Sequence, residues 1–414
     1  MKKLLMFMMM VLMATTLFAE GTTEEWDRTI SLAGGRIWVP ELALIFPDVE
    51  FTAVDMDTVT GENVTMAALM ASGTPPDIYL GFTGRAGQYL VPEFAMPLSV
   101  DESVWDQAVL DTYKHDGVLY GLPHNLPVQG MVINLDITDA AGYTVPDGYW
   151  DIYDFIDMLE AVRDSGQDVF PTFLYAATPS ADYFWLNWFS AFGIELFADG
   201  DHSRSAFNDT EAGVQVMTFL KYLVDNGLSP KDSATRNVNE LLPAWDSGKV
   251  AATGYRVEWV PGRMKSAIDN GLLDKPFAFT AKPFPVKPGV DWPAPIPGVG
   301  SCILAHITDN QEKADILTRC VVYIAAKVQQ LARDSILTRV DVVKNLQPSE
   351  LVQEIIDFTE VGGFMDPGYT YEWYAETREG ALPILRELYN GTMTPEEAAQ
   401  AYEDMVNEFI DEYK

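Results

Sequence analysis

Short apolar runs alternate along this chain with longer stretches whose apolar residues recur every three or four positions. The runs Arg28 to Ala33, Val49 to Asp55, Asp77 to Leu80, Met131 to Asn134, Val250 to Gly254, Phe277 to Ala281 and Cys302 to Ala305 have the length and continuity of buried strands. Their brevity and intervening helices predict parallel pairing. Val216, Met217, Leu220, Leu223 and Val224 make one helical stripe, opened by a capping pair Asn208 and Glu211 and closed by Gly227 and Pro230. A second starts at Thr308 with Gln311 and turns Leu317, Cys320, Val321 and Ile324 inward. A third starts at Thr394 with Pro395 and Glu397, and buries Tyr402, Met405, Phe409 and Ile410. This alternation predicts an α/β fold, and 414 residues exceed what one core organises, so two lobes are expected. The stretch Lys282 to Gly300 is rich in proline and glycine, and predicts an extended connection.

One junction is written unusually clearly. Ala67 to Ala71 reads as a last helical turn, Gly73 as its left-handed cap, and Pro75-Pro76 as a bar to continuation before the strand at Asp77. In an open α/β sheet ligands sit beyond the carboxyl ends of strands, so Gly81 to Gln88 becomes a candidate binding loop. The stretch Asp116 to Asn134 reads as a strand and a crossover beside the same cleft.

Residues 1–19 carry Lys2-Lys3, an apolar run Leu4 to Met13 and Ala14 to Ala19, the layout of a cleaved secretory signal peptide. The run is too short to span a bilayer, and no cysteine follows it to take a lipid, so the expected product is periplasmic or extracellular without stable membrane insertion. A net charge of −34 makes nucleic acid and anionic membrane poor partners. Cys302 and Cys320 lie in apolar patterns and read as buried thiols in preference to a disulfide. Four histidines show no ligand spacing, so neither metal nor cofactor is expected. No Gly-x-Ser-x-Gly elbow or dinucleotide fingerprint suggests catalysis, and with 61 acidic residues a close carboxylate pair would say nothing about glycoside hydrolysis. The reading is capture, not an enzyme.

Five segments in order then resemble a known family. They are Ala71-Ser-Gly-Thr-Pro-Pro-Asp77, Asp116-Gly-Val-Leu-Tyr-Gly-Leu-Pro123 through Asn134, Phe207 to Leu228, Trp245-Asp-Ser-Gly-Lys-Val-Ala-Ala252, and Gly391-Thr-Met-Thr-Pro-Glu-Glu-Ala398 with the terminal helix. Together they resemble the extracellular solute-binding proteins of ABC importers, in the sugar-binding group that includes maltose-binding protein. The resemblance implies a type II periplasmic-binding-protein fold: a lobe of residues 20–125 and 285–338, a lobe of 126–284 and 339–414, and crossings near Pro123 to Gln129, Ala281 to Pro285 and Ser335 to Val340. It implies a monomer that closes on its solute by a hinge motion and docks on an ABC permease.

A sugar needs aromatic planes for its ring faces and planar multi-donor groups for its rim. The resemblance places Arg85 and Tyr89 after the strand at Asp77, although Gly81 and Gly84 stand where maltose binders carry a tryptophan and an aspartate, which points away from maltodextrin. It places His124, Asn125 and Gln129 at the first crossing, with a structural hydrogen bond an equal reading for His124. From the second lobe it offers Tyr183, Trp185, Tyr255, Arg256, Glu258 and Trp259, then Ser301 in the turn Gly298-Val-Gly-Ser301, and the late pair Trp373 and Tyr374. Arg36 follows the first strand. A cationic or peptide solute remains the alternative if Glu258 lines the cleft.

Overall fold

The computed structural model describes residues 26–54, 62–125, 129–179, 182–198, 202–297, 300–331, 364–368, 371 and 373–414. The expected signal segment 1–19 and the third crossing, Ser335 to Val340, lie outside these residues.

Among the described residues, eight strands build the two larger sheets, beside two short two-stranded ones. β1 (Thr29–Ala33), β2 (Glu50–Val54), β3 (Ile78–Phe82), β4 (Gly121–Asn125) and β8 (Ser301–Ala305) form a five-stranded sheet in the order β2-β1-β3-β8-β4. β5 (Gln129–Asn134), β6 (Ala252–Arg256) and β7 (Phe279–Lys282) form a second, ordered β6-β5-β7. The strand positions match the apolar runs, but their directions correct the parallel expectation. Within these two sheets the β1–β2 and β1–β3 pairs are parallel, whereas β8 runs antiparallel to both neighbours, and β5 is antiparallel to β6 and β7.

The resemblance puts a crossing near Pro123 to Gln129, and β4 runs on through the first three of those residues. It is the last strand of its sheet, where a proline without an N–H leaves no ladder bond unmade.

Around the sheets lie α1 (Glu62–Ala71), α2 (Ile152–Asp164), α3 (Asp182–Ala191), α4 (Ala212–Asp225), α5 (Val238–Asp246), α6 (Val260–Asp269), α7 (Gln311–Leu331), α8 (Tyr374–Asn390) and α9 (Pro395–Glu412). α1 stops as its sequence dictates: Gly73 takes φ 71°, and the Thr74 N–H reaches back to the Leu69 carbonyl at 3.0 Å. Asp77 then ties three elements together. Its carboxylate accepts from the Ser31 N–H at 2.8 Å and hydroxyl at 3.0 Å, and pairs with Lys313 of α7 at 2.6 Å.

Helix starts were read with mixed success. α9 has its capping box, with Glu397 N–H donating to Thr394 Oγ1 and Thr394 N–H to Glu397. α4 does not begin at Asn208, which is held instead by α9, its N–H on Glu403 and its amide on Gln400; Glu211 occupies the cap position without a side-chain bond. α7 is capped by Asn310, whose carbonyl side chain takes the Lys313 N–H at 3.0 Å, while Thr308 supports Asn310.

Buried apolar residues form one large cluster reaching through both sheets, with a small satellite of Ile137, Val162 and Ala251. Tyr402, Val406 and Ile410 make the fully buried stripe of α9, Met405 and Phe409 only its flank. Cys302 and Cys320 are buried free thiols as read. The stretch after β7 is irregular and well fastened: Lys282 Nζ bonds the carbonyls of Pro146 and Gly148, and the Trp150 indole donates to the Pro283 carbonyl at 2.8 Å.

Candidate functional site

Register alone brings several expected residues to one line. Ser301 pairs with Phe82 on one side and with Asn125 on the other, so the carboxyl ends of β3 and β4 and the amino end of β8 share an edge. The Thr83 N–H closes that edge on the Gly300 carbonyl at 2.7 Å. Residues 126–128 separate β4 from β5, whose first residue, Gln129, pairs with Arg256 at the end of β6. The two sheets therefore turn their working edges toward a common connection.

Polar groups at this connection carry unusual chemistry. His124, the penultimate residue of β4, has its Nε2 wholly buried and without a protein partner, and its ring meets Trp38 edge-on at 6.4 Å. Burial pushes its pKa down to about 4, so the ring is a neutral imidazole at physiological pH. Gln129 is 2 % exposed, and neither its amide nitrogen nor its carbonyl oxygen finds a protein partner. Leaving such groups unpaired costs about 1–3 kcal/mol each, an expense expected where a guest supplies the partners.

On the facing edge, the Arg256 guanidinium lies 4.4 Å over the Trp259 ring, and Tyr255 meets that ring edge-on at 6.1 Å. Trp259 is 44 % exposed, a large flat apolar face left open to solvent. Burial is the main cause that raises the Tyr255 phenol, opposed by the charges of Arg263 and Arg256.

The remaining expected contacts divide. Tyr89 and Trp185 are committed to the core, a correction to their expected role. Tyr89 packs edge-on against Tyr79 at 5.7 Å and beside Phe94 at 5.0 Å, while Trp185 is 2 % exposed against Phe189 and Tyr402. Trp373 and Tyr374 are also buried, Trp373 stacked on Tyr371 at 5.5 Å. Behind them Arg378 of α8 lies 5.3 Å over Phe82 of β3. Arg36 is exposed after β1, and Ser301 is half-buried. The side chains of Arg85, Asn125, Tyr183 and Glu258, and residues 298 and 299 of the glycine turn, lie outside those described. The loop Gly81 to Gln88 is not a loop: Gly81 belongs to β3 and Thr83–Ala86 make a short helix.

Trp38, which meets the His124 ring, is itself a core residue, 5 % exposed.

A cavity of about 890 Å³ lies elsewhere, between α3, the start of α4 and the proline-rich stretch, lined by Phe192, Glu211 and Lys287 among others. Its walls share none of the edge residues, so size does not identify the site here. Among the described residues no helix is long and apolar enough to cross a membrane, and no group of three His, Cys, Asp or Glu could hold a metal ion.

The model of the bacterial extracellular solute-binding protein family matches residues 33–314. No curated protein matches the sequence. The GacH receptor of Streptomyces glaucescens, solved unliganded and with acarbose, superposes with a TM-score of 0.73 at 18 % identity, over 93 % of this chain and 99 % of that one. An ABC substrate-binding protein of Listeria monocytogenes in complex with cycloalternan gives 0.73 at 16 % identity, over 93 % and 100 %. The sugar-binding protein MalE from Xanthomonas citri gives 0.72 at 16 %, over 93 % and 98 %.

Proposed function

Because the chain belongs to the bacterial extracellular solute-binding protein family, we propose that it is the receptor of an ABC importer for a mono- or oligosaccharide. The guest is held between the two sheet edges, and the closed form is what the permease reads. Residues 20–125 with 285–338 and residues 126–284 with 339–414 are the two lobes in this reading, which agrees with β8 joining the first sheet and β5 to β7 making the second. Export through residues 1–19 puts the receptor in the periplasm as a monomer.

The observation that carries the carbohydrate reading is the buried, unpartnered polar atoms of His124 and Gln129, with the exposed Trp259 face reached from Gln129 through its strand partner Arg256. It offers neutral, multidentate hydrogen bonding at one edge and an aromatic plane at the other, the two needs of a sugar ring. Structural relatives described with acarbose or cycloalternan support it. A neutral guest is favoured over a cationic one, because the charge on the described edge is Arg256 and His124 is uncharged. Contacts made by both lobes only when closed would supply the differential affinity that shifts the population. No step in this reading makes or breaks a covalent bond.

Calorimetric titration with a carbohydrate panel tests the proposal directly. Binding of at least one sugar, with a smaller radius of gyration in solution scattering on saturation, is expected. Tight binding of a peptide or polyamine with no response to any sugar would reject it.

A further inference from the structure

An asparagine followed by glycine is prone to lose its side-chain amide, because a residue without a Cβ leaves its backbone nitrogen open to attack the neighbouring carbonyl. The chain holds three such pairs, Asn226-Gly227, Asn270-Gly271 and Asn390-Gly391. The fold puts all three in the same kind of place. Each asparagine is exposed at, or just past, the last residue of a helix, in turn α4, α6 and α8, and each glycine follows in the left-handed conformation with φ of 68°, 72° and 74°. Each glycine N–H donates to the carbonyl three residues before it, at 3.1, 3.0 and 3.1 Å. The backbone restraint is therefore common to the three pairs, and only side chains separate them.

Two of the asparagines are tethered. Asn226 Nδ2 donates to the Tyr222 carbonyl at 2.9 Å, and Asn270 Nδ2 to the Ser266 carbonyl at 2.8 Å and hydroxyl at 3.3 Å. These bonds draw the amide back along its own helix, whereas ring closure needs Cγ to swing forward onto the next nitrogen. The Asn390 amide makes no such bond among the described residues. A cation distinguishes it further. Lys221 of α4 brings its Nζ to 3.4 Å from the point where a Cβ on Gly391 would lie, while the same points on Gly227 and Gly271 have no atom within 4 Å. Asp225, one turn along α4, holds that ammonium in place at 3.1 Å.

We propose that Asn390 is the residue at which this protein deamidates in its folded state, with Lys221 assisting. The Gly391 nitrogen gives up its proton and bonds to Asn390 Cγ; the Cγ–Nδ2 bond breaks, and ammonia leaves with that proton. Water then opens the succinimide at either carbonyl, giving aspartate or isoaspartate. Negative charge builds on the attacking nitrogen and on Oδ1 as the ring closes, and a nearby ammonium lowers its energy. The product places a carboxylate at the carboxyl end of α8, where the helix dipole disfavours it and Lys221 offsets it. The isoaspartate form also adds a methylene to the main chain in the turn between α8 and α9.

The test incubates the full exported chain at neutral pH and follows all three pairs in one sample by peptide mapping, with electron-transfer fragmentation to separate isoaspartate from aspartate. Asn390 should convert at least about fivefold faster than Asn226 and Asn270, the size of one retained hydrogen bond. In guanidinium, where tethers and cation are gone, the three rates should converge. Lys221→Met, folded by thermal melt, should slow Asn390 alone by about two- to fivefold, the range of an exposed charge interaction, and Lys221→Arg should keep the wild-type rate. Conversion of Asn226 or Asn270 as fast as Asn390 in the folded protein overturns the proposal. So does a Lys221→Met rate equal to wild type, or an Asn390 that stays intact while the guanidinium sample reacts to completion.

Discussion

Acid should unfold this protein partly through one ring. A histidine in an unfolded chain titrates near 6.5, whereas burial holds His124 down at about 4 in the folded protein. Between those values the unfolded chain binds a proton that the folded one refuses, so the contribution is fully present above pH 6.5 and is lost as pH falls toward 4. The whole window is worth about 3 kcal/mol at 1.36 kcal/mol per unit, and at pH 5.5 about 1.4 kcal/mol is already gone. The perturbation is His124→Gln, which keeps a planar polar side chain and removes the titration. Urea unfolding of both proteins at about pH 7.5, 5.5 and 4.5 separates this group from the many carboxylates, whose titration is common to both. Wild type should lose about 2.5 kcal/mol more than the variant across the series, with most of the divergence below pH 6. Parallel stability curves would refute the assignment and mean that His124 reaches water or a partner in solution.

Other outcomes follow from packing. Gly213→Ala places a Cβ 2.6 Å from the Phe207 carbonyl oxygen in the first turn of α4, and should cost about 1–3 kcal/mol by urea midpoint, whereas Gly262→Ala in α6 should be neutral or gain up to about 1 kcal/mol. Asp77→Ala strands the Ser31 N–H and leaves Lys313 without its carboxylate, so a loss of about 2–3 kcal/mol is expected, and a loss under about 0.5 kcal/mol would show that the tie is dispensable. Cys302 and Cys320 are both buried, and burial pushes the Cys320 thiol up to about 12. A thiol reagent should therefore find neither in the native protein and both in guanidinium without reductant; no reaction in guanidinium would reveal a disulfide.

Strand location was legible because a continuous apolar run is what a buried strand requires, and β1, β2, β3 and β8 appear within two residues of their runs. Strand direction was not, because Ser301 to Ala305 is equally apolar read either way; the long connection that delivers it sets its sense. Helix starts failed where tertiary contacts outbid a local pattern, as when α9 took Asn208. In the site, composition could not separate a ring that grips a guest from one that fills a core. Tyr89, Trp185 and Trp259 look alike in sequence, and only burial distinguishes the first two from the third. His124 and Gln129 came into view only through the resemblance that sets them at the first crossing, because nothing in their local sequence shows that their polar atoms are buried without partners.

The place of β8 between β3 and β4 has a consequence for how the chain matures. Ile78 pairs with Ala305, and the strand between β3 and β4 arrives only after the whole second sheet has been threaded out. A nascent polypeptide leaving a translocation channel amino end first cannot zip its leading sheet early, since the wedge that joins its two parts is still inside. Such late completion of long-range pairing slows folding and keeps the leading portion unfinished during passage.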